Sequence, residues 1–200
     1  KNNRIYLFLS RGNVAGLVNA AHRNGLQVEL RSSYKAGSEA TNLEEFRTSA
    51  KEYVAELAKF AEKYNVYRIV PFGEIDNHLF NFPNQITEVS QELLLEARKH
   101  YNGRVGIGIA APWRDSGYKF TGYDYMTVSV YTQKQTSVDA YFTSAPEINA
   151  KNVISGARKV ADRSGIASLH IGETGVYNAG ESHPGFETAI VSKEEEVEYY

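Results

Sequence analysis

In LQVELR, residues 26–31, Leu26, Val28 and Leu30 alternate with Gln27, Glu29 and Arg31. A period of two is the mark of a strand with one apolar face. The same alternation recurs at 104–110, where Val105, Ile107 and Ile109 oppose Gly106, Gly108 and Ala110. The first of these strands is predicted over 26–33, and further short runs rich in β-branched and aromatic residues predict strands at 4–10, 66–73, 124–131 and about 167–173. Between them the apolar spacing lengthens to the helical period, most plainly at 43–64, where Phe46, Val54, Leu57 and Phe60 fall on one face. Helices are also predicted at 13–24, 85–101 and 148–164. Asn24-Gly25, Asn102-Gly103 and Ser164-Gly165 stand where left-handed helix ends would turn the chain into the next strand.

Strands alternating with helices predict βα units and a parallel sheet. One face of these strands is apolar while the other is small or polar. An open doubly wound sheet is usually apolar on both faces, whereas a (β/α)8 barrel turns its apolar face to the helices and fills its interior with small and hydrogen-bonded groups. The pattern therefore predicts an α/β fold, a (β/α)8 TIM barrel represented by about six βα units, with a flavodoxin-like open sheet as the alternative. Residues 1–200 read as a single barrel domain lacking its first and last strands, a piece truncated at both ends. A gapped barrel exposes two strand edges, so an additional chain segment or subunit is expected to complete it.

Composition narrows the function. The 200 residues are 42% hydrophobic and 23% charged, with 22 Lys and Arg against 24 Asp and Glu, a net charge of −2. This balance offers no electrostatic basis for nucleic acid or an anionic membrane as partner. Cysteine is absent, which excludes disulfides, thiolate metal sites and cysteine nucleophiles. No apolar run approaches the roughly 20 residues that span a bilayer. GNVAG and GRVGIG lack the context of a dinucleotide or phosphate loop. Asp76 and His78 in EIDNHLF invite a metal reading, but no HxH or HExxH spacing occurs, so neither a metal nor another cofactor is expected.

In a parallel barrel, active sites assemble at the C-terminal ends of the strands. Glu74 closes VYRIVPFGE and Glu173 closes SLHIGE, each after a glycine, and they are 173 − 74 = 99 residues apart. Three strand positions separate them, an offset that lets two side chains converge across a barrel mouth. Either glutamate alone also fits a solvated rim residue or the partner of a helix N-terminus.

RIVPFGE (68–74), YDYMTVSVY (123–131) and HIGETG (170–175), in that order, resemble the fourth-, sixth- and seventh-strand motifs of the clan A glycoside hydrolases, particularly galactanase- and mannanase-like members. The resemblance covers nearly the whole chain and equates its strands with the second to seventh of the barrel. It implies a retaining glycoside hydrolase acting on β-glycosidic bonds of a polysaccharide or oligosaccharide, with Glu74 as acid/base and Glu173 as nucleophile. An extracellular or cell-surface location is expected, any leader having been removed. Such enzymes need one protonated and one ionised carboxyl group, and mutual repulsion keeps the proton on one of a close pair until the glycosyl ester forms.

Three further residues are substrate-site candidates. Tyr131 corresponds to a tyrosine that holds the nucleophile in the clan, though it also fits plain packing. Arg31 at the rim of its strand can keep a carboxylate ionised, or serve as the structural partner of Glu29. Trp113, in APWRDSG, can stack on a sugar ring or plug the core. His170 should face the helices, away from Glu173, unless a bulge intervenes. One departure stands out: the clan carries Asn before its acid/base glutamate, an amide that contacts the sugar 2-hydroxyl, and this chain has Gly73. A non-catalytic carbohydrate-binding or structural barrel derived from such an enzyme is therefore the alternative function.

Overall fold

A computed structural model describes residues 4–6, 14–31, 39–110, 117–132 and 146–176, with backbone alone at 4–6, 131–132, 146–149 and 173–176. Among the described residues there are six strands and five α-helices. The strands are β1 (Arg4–Tyr6), β2 (Gln27–Arg31), β3 (Arg68–Val70), β4 (Arg104–Ile109), β5 (Tyr125–Thr132) and β6 (Leu169–Val176). The helices are α1 (Val14–Arg23), α2 (Leu43–Lys63), α3 (Ile75–His78), α4 (Ile86–Arg98) and α5 (Pro146–Arg163). The short α3 has no counterpart in the sequence prediction.

Local chemistry sets the helix ends. The Asn42 side chain accepts from the Glu44 and Glu45 amides at 3.1 and 3.2 Å, and those acids face the positive end of the α2 dipole. Gly25 and Gly165 adopt the left-handed conformation expected after α1 and α5, with φ of 69° and 71°. Gly103 does not, among the described residues with positive φ. Its missing side chain serves packing instead, because a Cβ there would overlap the Tyr101 ring, whose hydroxyl donates to the Val66 carbonyl at 2.7 Å. After α2 the left-handed position falls to Asn65, φ 50°.

All six strands are parallel and neighbours in sequence are neighbours in the sheet, order β1-β2-β3-β4-β5-β6. One face of the sheet meets the helices. There Val28, Leu30, Ile69, Val105, Ile107, Met126 and Val128 form one buried cluster with helix residues such as Val18, Phe46, Val54, Leu93 and Val160. Each such side chain contributes roughly 1.5–3 kcal/mol by leaving water. The buried stripe of α2 runs mainly through Phe46, Ala50, Val54, Ala58 and Ala61, whose small members let the helix lie close to the strands.

The opposite face is lined by Glu29, Arg31, Arg68, Thr127 and Ser129, all buried. Neighbouring strands lie about 4.8 Å apart, so β2 and β5 would be about 14 Å apart in a flat sheet, beyond the reach of an arginine side chain. Yet Arg31 on β2 donates to Ser129 Oγ on β5 at 3.3 Å. The sheet is curled into part of a cylinder with this polar face inside. The fold is a partial (β/α)8 barrel, not the open sheet.

Candidate active site

Glu74 stands just past the end of β3. The Gly108 amide donates to the Phe72 carbonyl at 2.9 Å, prolonging the β3–β4 pairing beyond Val70. A Cβ at Gly108 would overlap the Gly73 carbonyl, so only glycine permits this approach. The chain then turns into α3, with Glu74 as its cap residue, the Glu74 carbonyl accepting from the Asn77 and His78 amides at 3.2 and 3.3 Å. The half-buried Glu74 carboxyl accepts from Asn77 Nδ2 on Oε2 at 2.9 Å.

Both flanks of α3 are moored. Asp76 Oδ1 accepts from the Ala110 amide at 2.9 Å at the end of β4, and the His78 carbonyl accepts from the Ala40 amide at 2.8 Å beyond β2. The His78 ring sits against Phe72 and Phe46, with centroids 5.6 and 6.2 Å away. The two residues that suggested a metal thus help hold the segment that carries Glu74. Among the described residues no cluster of three His, Asp or Glu suits a metal ion.

Arg31 occupies the space between the end of β3 and the middle of β6. Its Nη2 donates to the Gly73 carbonyl and to Ser129 Oγ, both at 3.3 Å. A Cβ at Gly73 would lie 3.0 Å from Arg31 Nε, and one at Gly172 would overlap Nη1. The glycines that precede the two glutamates therefore form walls around one guanidinium. This gives a physical reason for Gly73 where the clan carries Asn, since any side chain there presses on Arg31. Glu29, proposed from sequence as the partner of Arg31, is paired with Arg68 on β3, its register neighbour, and both are 1% exposed.

On β6 the register slips. Val128 pairs with Ile171 but Ser129 pairs with Glu173, leaving Gly172 as the extra residue of a bulge. Glu173 lies within β6 at the register position of Ser129, not at the strand's end, since β6 runs on to Val176. The bulge reverses the expectation for His170. Its ring stands edge-on to Tyr125, centroids 5.5 Å apart and planes at 88°, so it faces the barrel interior.

Tyr125 fills the floor of that interior. It crosses β4, where a Cβ at Gly106 would overlap its ring, and donates to the Ile69 carbonyl at 3.1 Å. The guanidinium of Arg68 lies 4.7 Å from the ring centroid and that of Arg104 5.6 Å. Burial above all, and then the Glu29 charge, push the Tyr125 phenol well above the usual tyrosine range despite Arg68.

The backbone of Tyr131 pairs with Gly175, two register positions beyond Ser129 and Glu173. Trp113 lies outside the described residues. The sequence reading overlooked Asn77 and Ser129. Asn77 was legible as the third residue after Glu74, the spacing of neighbours on one helical turn. Ser129 was legible in the alternation of Tyr125, Thr127 and Ser129 with Met126, Val128 and Val130.

The strands, the curl and the polar interior define a partial (β/α)8 barrel. No protein-family model matches the chain, and no curated protein matches it. Among solved structures it is similar to a GH113 β-1,4-mannanase, in a complex (TM-score 0.62) and in a second structure (0.61), both at 18% identity. In each case 94% of this chain and 60% of that chain are covered. It is also similar to the GH113 β-mannanase AaManA from Alicyclobacillus acidocaldarius in complex with ManMIm, with a TM-score of 0.63 and 17% identity over 97% of this chain and 62% of that one. The resemblance to clan A glycoside hydrolases holds at the level of the fold, and the chain spans about three fifths of these neighbours' length. Among the described residues no helix is long and apolar enough to cross a membrane.

Proposed function

We propose that this chain carries the catalytic half of a retaining glycoside hydrolase that cleaves β-linked polysaccharide, with Glu173 as nucleophile and Glu74 as acid/base. The supporting observation is the place of Arg31. One guanidinium lies against Gly73 and Gly172, the residues before the two glutamates, so chain positions 99 residues apart meet around a single side chain. The fold neighbours are named as β-1,4-mannanases, which makes β-1,4-mannan the first substrate to test.

In this mechanism the Glu173 carboxylate attacks the anomeric carbon while Glu74 gives its proton to the departing glycosidic oxygen. The resulting glycosyl ester is then opened by water, whose proton passes to Glu74 as Glu173 leaves. Retention by this route needs the carboxyl groups about 5–5.5 Å apart. The positive Arg31 favours an ionised carboxylate beside Gly172, and the Tyr131 phenol is proposed to hold it in line.

Azide distinguishes the two roles in the full-length protein. With an activated aryl β-glycoside, Glu173→Ala should be inert alone and form the α-glycosyl azide when azide is added. Glu74→Ala should form the β-glycosyl azide from its accumulated ester. Full hydrolysis by Glu173→Gln would overturn the assignment. The absence of a side chain at Gly73 favours a second reading, a barrel that binds glycan without cleaving it; saturable mannan binding with no reducing ends released would establish that instead.

A further inference from the structure

The geometry points to Asn77 as the positioning residue for Glu74: its amide binds Oε2 and so reserves Oε1 as the oxygen that carries the catalytic proton. The inference rests on the proposed acid/base role of Glu74. Asn77 Nδ2 donates to Glu74 Oε2 at 2.9 Å, and among the described residues it is the partner of that carboxyl. The carbonyl oxygen of a protonated carboxyl is a much better acceptor than its hydroxyl oxygen, so the amide contact at Oε2 favours a proton on Oε1. When Glu74 is ionised, Oε1 is the oxygen left open to a proton from water.

The structural demands on α3 are met by other groups. The Glu74 carbonyl accepts two helical amides, Asp76 anchors the turn to Ala110, and the His78 carbonyl anchors it to Ala40. The Asn77 side chain is half-exposed and contributes to none of these. Its position on the turn following Glu74 places the amide beside the carboxyl within the same short helix. An amide held in this way fixes the rotation of the carboxyl plane, which is the freedom a general acid must lose to meet the leaving oxygen in line.

The test separates proton donation from other steps through the leaving group. Aryl β-glycosides with 2,4-dinitrophenol as leaving group need little protonation to depart, whereas phenyl or alkyl glycosides depend on it. General acid catalysis typically contributes about 100-fold to 10,000-fold. Misplacing the proton in Asn77→Ala should forfeit part of this, about 10-fold to 100-fold in kcat/KM on unactivated glycosides, with a much smaller loss on the dinitrophenyl substrate. Asn77→Leu keeps the volume but offers neither donor nor charge, so it should show the same selective loss with little change in melting temperature.

Glu74→Gln on the same series is the reference. If Glu74→Gln is selective for poor leaving groups and both Asn77 variants lose activity equally on all substrates, or lose none, the positioning role is overturned while the acid/base reading stands. If Glu74→Gln shows no selectivity, the acid/base reading itself fails and the inference falls with it.

Discussion

Glu29 shows how far one residue's role depends on a partner remote in sequence. Read along the chain, Arg31 two residues away on the same face is the natural partner. In the barrel Arg68 stands directly across the ladder, 39 residues on, and its Nε donates to Glu29 Oε2. A period-two pattern reports which side chains share a face but not which strands adjoin, so the pair was invisible until the register was known. Because both charges are buried, removing one leaves the other uncompensated. Glu29→Ala should destabilise the protein by about 3–5 kcal/mol in urea denaturation. The double variant Glu29→Leu, Arg68→Met should recover much of that loss, since an apolar pair carries no desolvation cost.

The elements were legible where their signals are local. Helices α1, α2, α4 and α5 lie where the apolar period places them, the glycine ends holding for α1 and α5, and β2 and β4 show the alternation that distinguishes a barrel from an open sheet. Two features were not legible. The single-turn α3 is too short to display a period, and it is held by contacts from the ends of neighbouring elements. The bulge at Gly172 depends on how β6 meets β5, and without it the side His170 faces comes out reversed. The glycines of β4 read as merely small, but each answers to a specific neighbour. Gly108→Ala should therefore cost about 3 kcal/mol or more, since the added methyl meets backbone at Gly73 that cannot rotate aside. Gly16→Ala, on the exposed side of α1 with nothing within 4 Å, should stabilise by about 0.5–1 kcal/mol. Thermal or chemical unfolding of the two variants gives opposite shifts if this account of the packing is right.

For the molecule as a whole, the packing on both faces of the sheet excludes water from several ionisable groups. Tyr101, Tyr123 and Tyr125 are all buried, and burial is the largest cause raising each phenol above its ordinary value of 10.0. In the unfolded chain these phenols ionise near pH 10, while in the folded barrel they stay neutral to higher pH. Their contribution to stability is complete below about pH 10 and declines as pH rises from there towards the folded values. Alkaline titration followed at 295 nm should show the exposed tyrosines ionising first, and the buried ones appearing together with loss of the far-ultraviolet helix signal. Stepwise ionisation of all fourteen tyrosines in a barrel that remains folded would contradict the packing described.

The guanidinium walled by two glycines also makes the protein open to chemical complementation. Arg31→Ala would leave a cavity shaped for a small planar cation, bounded by Gly73, Gly172 and Ser129. Millimolar methylguanidinium supplied from solution should re-enter it and restore part of the lost heat resistance along a saturating curve, while sodium or tetramethylammonium at equal strength should not. A missing piece that can be handed back by diffusion would mean that the two glycine walls are shaped to receive this ion and need no covalent tether to hold it.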